Sequence, residues 1–133
     1  GILDVGTGSG ILLAAALQLG ASHGCGVDTD PLAVEAAQRN LAQNGLAARS
    51  EVVLGTLPFR APAPLVVANL VAALQIELAP LLAAAIAPGG RLLASGIFVE
   101  RAAETVDAFT RVGLRLLGQW EEGEWVALEW THD

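Results

Sequence analysis

The stretch that decides the fold is GILDVGTGSG, which runs from Gly1 to Gly10. A short apolar run from Ile2 to Val5 stops at three glycines spaced two apart, as is typical of a buried strand that turns sharply into a helix. The next apolar run ends in the same way at Asp28. Glycine lacks a Cβ and adopts positive φ without strain, so such a turn lets the backbone approach a ligand closely. We therefore expect a ligand at the carboxyl end of the first strand.

Outward from this stretch, the apolar periodicity alternates between strand and helix along the whole chain. Strands are predicted at residues 2–5, 23–27, 50–54, 65–68, 91–95, 114–120 and 124–130. Helices are predicted at 9–19, from the Asp30 cap and Pro31 to the stop at Asn44-Gly45, at 72–87 and at 100–112.

Two details of this prediction concern prolines and glycines. A proline inside a helix removes a hydrogen-bond donor, so we expect the third helix to break near Ala79, with Pro80 starting a second short helix. Residues 88–90, Pro-Gly-Gly, are predicted as a turn. The fourth helix is predicted to face inward with Ala103, Val106 and Phe109.

The alternation predicts an α/β fold with a doubly wound, seven-stranded and mostly parallel sheet that is Rossmann-like. The last two strands are joined by residues 121–123 alone, which is too short for a parallel crossover, so they are predicted to form an antiparallel hairpin. No linker or repeat divides residues 1–133, which we take as one domain.

The spacing of the glycines separates the classes of ligand. A dinucleotide fingerprint that starts at Gly6 would need a third glycine where Ile11 stands. A P-loop requires a lysine, and the chain has none. Asp4, just before the glycines, would repel a pyrophosphate and attract a cation, and Asp28 lies 22 residues after Gly6, at the usual spacing for an acid that binds ribose. S-adenosylmethionine, which has a ribose, a cationic end and no phosphate, fits these features; a tight turn without ligand is the alternative.

The two motifs, Asp4-Val-Gly-Thr-Gly-Ser-Gly10 and Gly26-Val-Asp-Thr-Asp-Pro31, resemble those of the class I methyltransferases. More narrowly, the chain resembles the bacterial ribosomal protein L11 methyltransferase family over its whole length. The segments that carry the resemblance are DVGTGSGIL (4–12), GVDTDPLAVEAAQRN (26–40), VVANLVA (66–72), IAPGGRLLASGI (86–97) and EGEWVAL (122–128).

The resemblance implies that the chain is an S-adenosylmethionine-dependent methyltransferase catalytic domain. The family methylates amino groups of a ribosomal protein, at lysine side chains and the N-terminus. Family members also carry an N-terminal substrate-recognition domain, which we expect this chain to lack. The implied cofactor-binding residues are Asp4, Gly6, Thr7, Gly8 and Gly10 for the methionine moiety, Asp28 for the ribose, Thr56 in the loop at Gly55-Thr56-Leu57 for the adenine, and Asn69 beside the methyl group. Apart from the resemblance, Thr29 is a further candidate for the adenosine edge.

Asn69 is the candidate catalytic residue. A methyl group is transferred to a neutral amine, and an amide oxygen together with a nearby backbone carbonyl suits the amine hydrogens. Methyltransferases that act on DNA or glutamine amines have Asn-Pro-Pro-aromatic here, whereas this chain has Asn69-Leu70-Val71, which weighs against those substrates. The alternative is that Asn69 only caps the following helix.

The other chemically notable side chains carry weaker predictions. Cys25 is expected in the core, and His23 and His132 lack spaced partners, so no metal site is predicted. Most of the three tryptophans are expected to pack, with Trp125 and Trp130 on opposite faces of their strand.

The net charge of −7 and the scattered arginines argue against nucleic acid and permit a basic protein partner. No apolar run is long enough to span a bilayer, and a lone cysteine is compatible with the cytoplasm. Two alternatives stay open: a methyltransferase that acts on a small molecule, another protein or RNA, and a cofactor-binding fragment that is inactive without upstream residues.

Overall fold

The computed structural model describes residues 1–132. Its strands are β1 (Ile2–Val5), β2 (Gly24–Asp28), β3 (Ser50–Leu54), β4 (Ala63–Asn69), β5 (Ile86–Phe98), β6 (Arg115–Glu122) and β7 (Trp125–Thr131). Its α-helices are α1 (Ile11–Gln18), α2 (Pro31–Gln43), α3 (Ala72–Ala85) and α4 (Ala102–Arg111). The strands form a seven-stranded sheet in the order β3-β2-β1-β4-β5-β7-β6.

The first compact unit comprises Gly1–Thr56 and contains β1 to β3 with α1 and α2. Its strands are parallel, and Asp4 on β1 lies opposite Gly26 on β2. The helices pack through apolar side chains such as Leu13, Leu17 and Leu41, which are almost completely buried. Because the strands are parallel, their carboxyl ends, where Asp4 and Asp28 lie, face the same edge of this unit.

The second compact unit begins at Leu57 and contains β4 to β7 with α3 and α4. β4 and β5 are parallel, whereas β7 runs antiparallel to both β5 and β6. Phe109 of α4 packs against Trp130 of β7 with ring centroids 5.3 Å apart, and both side chains are fully buried. The predicted α/β fold, mostly parallel and with a C-terminal antiparallel hairpin, is confirmed.

The capping signals around α2 act as predicted. Asp30 lies at the N-cap and accepts a hydrogen bond from the Leu32 N–H at 2.9 Å, and Pro31 takes the first helical position. Gly45, just past the helix, has a φ of +71°, which is the conformation that favours glycine at a helix end. These signals are local, so the sequence alone locates this helix well.

The predicted break in the third helix is wrong. α3 is continuous from Ala72 to Ala85 with Pro80 inside it. Ala79, Leu82 and Ala83 are buried on both sides of the proline, and their packing outweighs the loss of one backbone hydrogen bond.

Three further boundaries differ from the predictions. Residues 88–90 belong to β5 rather than to a turn, and the Gly89 N–H donates to the His132 carbonyl at 2.7 Å. α1 starts at Ile11, because Gly10 has a φ of +81° that a helix cannot accommodate. The buried residues of α4, which follows a short 3-10 helix, are Ala102, Thr105 and Phe109; of the predicted inward residues, Phe109 is buried, Val106 is half-buried and Ala103 is exposed.

Within residues 1–132, no helix combines the length and the apolar character needed to cross a lipid bilayer.

Candidate functional site

The glycine loop, residues 6–10, follows β1 and depends on left-handed backbone conformations. Gly6, Gly8 and Gly10 have φ of +72°, +56° and +81°, a region that other residues rarely adopt. The N–H groups of Gly6 and Thr7 both donate to the Val27 carbonyl of β2, at 2.9 and 3.0 Å. A Cβ on Gly8 would meet nothing within 4 Å, so Gly8 is required for its backbone conformation and not for lack of space.

Asp4 is a buried acid at the end of β1. Only 1% of its surface is exposed, and its Oδ2 accepts a hydrogen bond from Thr7 Oγ1 at 2.8 Å. Its Oδ1 has no hydrogen-bond partner among the described residues. Burial raises the pKa of Asp4 from 3.8 to about 6; the Thr7 bond opposes this rise, the charge of Asp28 adds to it, and the nearby Leu13 N–H, which does not reach Oδ1 with good hydrogen-bond geometry, also opposes it. The charged form of Asp4 is therefore a costly state that a nearby cation would stabilise.

Gly26 of β2 makes room for this pair. A Cβ on Gly26 would lie 2.8 Å from Thr7 Oγ1 and 2.9 Å from Thr7 Cβ, closer than real Cβ contacts come. Any larger residue would displace Thr7 and, with it, the hydrogen bond to Asp4. Sequence reasoning did not assign this role to Gly26, because it depends on the pairing of β1 with β2.

Asp28 joins the glycine loop to the turn before α2. Its Oδ2 accepts from the Gly8 N–H at 2.9 Å and its Oδ1 accepts from the Asp30 N–H at 3.0 Å. Its carbonyl accepts from the Gly55 N–H at 2.8 Å, which brings the start of the loop after β3 to the same strand end. Each carboxylate oxygen retains a lone pair, so Asp28 can still accept from ligand hydroxyl groups.

The first unit thus brings together several residues that the sequence predicts for the cofactor. Asp4, Thr7, Gly8 and Asp28 are linked by hydrogen bonds. Thr29 and Thr56 are exposed. They lie near this group through their neighbours in sequence, Asp28 and Gly55.

Asn69 is the last residue of β4 and its side chain is exposed. No hydrogen bond joins this side chain to any residue in the described range 1–132. The N-cap of α3 is Val71, and no side chain caps that helix end. The alternative that Asn69 serves only as a helix cap is therefore wrong.

Two oxygen acceptors converge next to Gly96 of β5. A Cβ on Gly96 would lie 2.5 Å from Asn69 Oδ1 and 3.2 Å from the Leu70 carbonyl oxygen. Gly96 also has a φ of +80°, and it follows Ser95, the residue opposite Asn69 in the parallel β4–β5 pair. The geometry leaves an amide oxygen and a carbonyl oxygen close together, as the hydrogens of an amine would require.

A pocket of about 350 Å³ also lies in the second unit, at the turn of the β6–β7 hairpin. Its lining includes Ser95 and Gly96, the acids Glu121 and Glu122, and the aromatic residues Trp120 and Trp125. Trp125 stacks on Phe98 with centroids 4.3 Å apart, and both tryptophans are about half exposed.

The expectation that most tryptophans pack is met by Trp130, which is fully buried, and by Trp125, which stacks on Phe98, but only Trp130 of the three lies in the core. The hairpin turn lies at Gly123-Glu124, two residues instead of the predicted three. With the observed register, Glu122 pairs with Trp125 and Trp120 pairs with Ala127, which puts both tryptophans on one face. The period-two pattern could have identified this face only with the turn placed correctly.

Among the described residues, no group of three His, Cys, Asp or Glu side chains is arranged to hold a metal ion. His23 pairs through Nδ1 with Ser22 Oγ at 3.0 Å. Cys25 is partly exposed on β2 rather than fully buried.

Comparison with known proteins agrees with these features. A family model described as ribosomal protein L11 methyltransferase (PrmA) matches residues 1–133. Ribosomal protein L11 methyltransferases from Pelotomaculum thermopropionicum and Geobacter metallireducens are 47% and 46% identical over 96% of this chain. The chain spans 42% of the length of each, so it matches less than half of these curated relatives.

Solved structures of methyltransferases have a similar fold. A ribosomal protein L11 methylase from Lactobacillus delbrueckii subsp. bulgaricus superposes with a TM-score of 0.94 at 28% identity, covering 98% of this chain and 69% of that one. An RNA methyltransferase from Salinibacter ruber, solved with S-adenosyl-L-homocysteine, shares the fold with a TM-score of 0.78 at 21% identity, covering 98% and 78%. The family predicted from the sequence is confirmed: this chain belongs to the ribosomal protein L11 methyltransferase family.

Proposed function

We propose that the protein transfers a methyl group from S-adenosylmethionine to amino groups of ribosomal protein L11, at lysine side chains and the N-terminus. The observation that carries the proposal is the glycine loop of the first unit, with Asp4 and Asp28 bonded to it. Family membership supports the same activity. The chain spans 42% of its relatives' length, so the activity is proposed for the protein at its full natural length.

The residues of the first unit fit S-adenosylmethionine. Asp4 Oδ1 is buried without a partner in the described chain, so a positively charged group at the glycine loop would compensate this charge. With 1% exposure, Asp4 would act mainly through its electric field and not through a direct ion pair. The open space beside Gly8 leaves the loop backbone accessible to a ligand.

Asp28, Thr29 and Thr56 would hold the nucleoside. Asp28 has unused lone pairs for the ribose hydroxyl groups, and its two backbone bonds hold the carboxylate in one orientation. Thr29 follows Asp28 directly and is exposed, and Thr56 follows Gly55, whose N–H is bonded to the Asp28 carbonyl. We assign the adenosine edge to Thr29 and the adenine to the loop at Thr56.

Asn69 would orient the acceptor amine. When bound, S-adenosylmethionine supplies an electrophilic methyl group on a sulfonium. Asn69 Oδ1 and the Leu70 carbonyl oxygen would accept the hydrogens of the neutral amine, which directs its lone pair towards the methyl group. A free lysine has a pKa near ~10.4, so desolvation at this site is needed to favour the neutral amine.

The pocket at the hairpin supports a basic substrate. Trp120 and Trp125 offer aromatic faces to a cation, and Glu121 and Glu122 add negative charge beside them. The whole chain has a net charge of −7, which favours a basic protein over nucleic acid. With a ribosomal protein as its substrate, the enzyme would act in the cytoplasm.

Calorimetry and a transfer assay test this function in sequence. We expect the protein to bind S-adenosylmethionine and S-adenosylhomocysteine, and no heat with either ligand would overturn every methyltransferase assignment. With labelled S-adenosylmethionine, we expect label on L11 and none on ribosomal RNA or free small amines. Label on RNA or a small molecule instead would replace the proposed substrate while retaining the reaction.

Asn69→Ala tests the catalytic assignment. We expect kcat to fall on the order of a hundredfold, because one of two amine acceptors is lost, while the Kd for S-adenosylmethionine stays within about twofold. Asn44→Ala is a matched control, because the Asn44 side chain donates to the Asn40 carbonyl at the end of α2, away from Asn69 in the sequence and in the other unit. Wild-type turnover in Asn69→Ala would show that Asn69 does not orient the amine.

A further inference from the structure

Gln75 is a fully buried polar residue on the inner face of α3. The other buried residues of this helix are Ala72, Ala79, Leu82 and Ala83, so Gln75 takes a position in an otherwise apolar stripe. A buried amide at such a position loses its contacts with water and requires protein partners. Its partners therefore indicate what the side chain does.

The Nε2 group of Gln75 faces three backbone carbonyls, two around the end of β4 and one at Ser95 within β5. It lies 2.7 Å from the Ala68 oxygen and 3.2 Å from both the Leu70 and the Ser95 oxygens. An amide NH₂ has two hydrogens, so the shortest contact takes one and the two longer contacts share the other. One side chain thus ties the end of β4 to Ser95 of β5.

These three carbonyls surround Asn69. Ala68 and Leu70 are its neighbours in the chain, and Ser95 is its partner on β5. The Leu70 N–H also donates to the Ser95 carbonyl at 3.1 Å, which closes a small network around the strand ends. The Leu70 oxygen held by Gln75 is the same atom that converges with Asn69 Oδ1 beside Gly96.

The arrangement has a stability cost that packing alone does not explain. Gln75 Oε1 is buried and has no hydrogen-bond partner among the described residues. A leucine, of similar size, would fill the same apolar stripe without burying an unpaired side-chain oxygen. The donor half of the amide is fully used while the acceptor half is not, so the position serves the carbonyls.

We propose that Gln75 is a positioning residue for methyl transfer, which holds the Leu70 carbonyl and the Asn69 backbone so that both oxygen acceptors meet the amine. The inference rests on the proposed function, because Gln75 acts through Asn69 and Leu70 and touches no substrate. It assigns Gln75 to turnover and not to cofactor binding, whose proposed residues other than Asn69 lie in the first unit.

Gln75→Leu is the principal variant, assayed in the protein at its full natural length. We expect kcat on L11 to fall by about tenfold or more, because the acceptors lose their alignment, with the Kd for S-adenosylmethionine within about twofold of wild type. Gln38→Leu controls for the loss of an amide donor to a strand carbonyl, since Gln38, which is exposed, donates to the Val52 carbonyl at 3.2 Å in the first unit. We expect that control to keep wild-type kcat.

Gln75→Glu separates positioning from simple packing. A protonated glutamic acid keeps the shape and one donor, whereas a carboxylate would repel the three carbonyls. We expect its kcat, relative to wild type at each pH, to recover as the pH falls. If Gln75→Leu lowered kcat and cofactor affinity by the same factor and also lowered the melting temperature, the positioning role would be overturned. Unchanged kcat would overturn it as well.

Hydrogen exchange provides a readout that needs no activity. In Gln75→Leu we expect the Leu70 amide to exchange at least about tenfold faster, while the Val34 amide, bonded to the Asp30 carbonyl in α2, stays unchanged. Unchanged exchange at Leu70 would overturn the inference. An inactive wild-type protein would overturn the proposed function instead, and Leu70 exchange would then decide whether Gln75 holds this segment.

Discussion

Asp28 in the first unit and Gln75 in the second solve the same structural problem with opposite chemistry. Asp28 is a carboxylate that accepts from two backbone N–H groups, those of Gly8 and Asp30. Gln75 is an amide that donates to backbone carbonyls, including that of Leu70. Each side chain holds backbone at strand ends, but the first leaves a region suited to a cationic ligand with hydroxyl groups, and the second leaves oxygen acceptors suited to an amine.

The difference indicates how the two halves of the proposed reaction are divided. The first unit depends on glycine conformation and on negative charge, so its variants should change cofactor binding and pH dependence. The second unit depends on the placement of two oxygens, so its variants should change turnover. A variant that lowered cofactor affinity and kcat by the same factor would contradict this division.

Of the variants that test this division, Gly96→Ala should have the largest effect, which is a fall in kcat. The new Cβ would lie 2.5 Å from Asn69 Oδ1, so the amide must rotate away, and we expect kcat to fall roughly a hundredfold to a thousandfold with cofactor affinity retained. Gly113→Ala is the control, because Gly113 has a similar φ of +92° and its Cβ would meet nothing within 4 Å. An equal fall in kcat in the two variants would mean that backbone strain, and not the contact with Asn69, causes the loss. Wild-type kcat in Gly96→Ala would contradict the role of the Asn69 oxygen.

Asp4→Asn should have the next largest effect, seen in the pH dependence of stability. The folded state raises the pKa of Asp4 to about 6, so it holds this proton more tightly than the unfolded chain does. The contribution of Asp4 to the unfolding free energy is therefore complete below about pH 4 and is lost by pH 6–7, a change on the order of 3 kcal/mol. Denaturant titrations of wild type and Asp4→Asn across this range should differ by that slope.

The same titration bears on cofactor binding. A cation at the glycine loop favours ionised Asp4, so wild-type affinity for S-adenosylmethionine should fall as the pH drops below about 6. Asp4→Asn should bind more weakly at pH 7.5 and lack this part of the pH dependence. Parallel pH profiles for the two proteins would contradict the role of Asp4 in cation binding.

The smallest effect is expected at the hairpin pocket. Glu121→Gln combined with Glu122→Gln should raise the KM for L11 by only a few-fold at low salt, because exposed charges are screened, and the difference should vanish at high salt. Glu35→Gln combined with Glu77→Gln changes the net charge equally at exposed sites elsewhere. An identical rise in KM for both double variants would assign the effect to overall charge.

The sequence predicted the first unit better than the second, for a physical reason. Glycines at positive φ and an N-cap such as Asp30 act within a few residues, so their pattern is visible in the chain. The approach of Gly96 to Asn69 and the three contacts of Gln75 depend on the register of β4 against β5, which no local pattern specifies. The fold class required only the alternation of strands and helices, and it was correct.

The errors in the prediction have the same origin. The penalty of Pro80 is a local property, and buried neighbours on α3 overrode it. The exposed face shared by Trp120 and Trp125 was missed because a hairpin turn one residue shorter than predicted changes which side chains are neighbours. Local propensity thus located the helices and strands, while tertiary packing decided where they end and which side chains share a face.

Gly26 has a consequence for how this protein can vary during evolution. The residue has no side chain that could contact a ligand, yet an added methyl group would collide with Thr7, which holds Asp4. Drift at Gly26 is therefore coupled to Thr7. Serine at position 7 would keep both atoms that lie nearest to the added methyl group, the hydroxyl oxygen and Cβ, so relieving the collision also requires removing the hydroxyl that Asp4 accepts from. A relative with a bulkier residue at this position and an intact Thr7 should be rare.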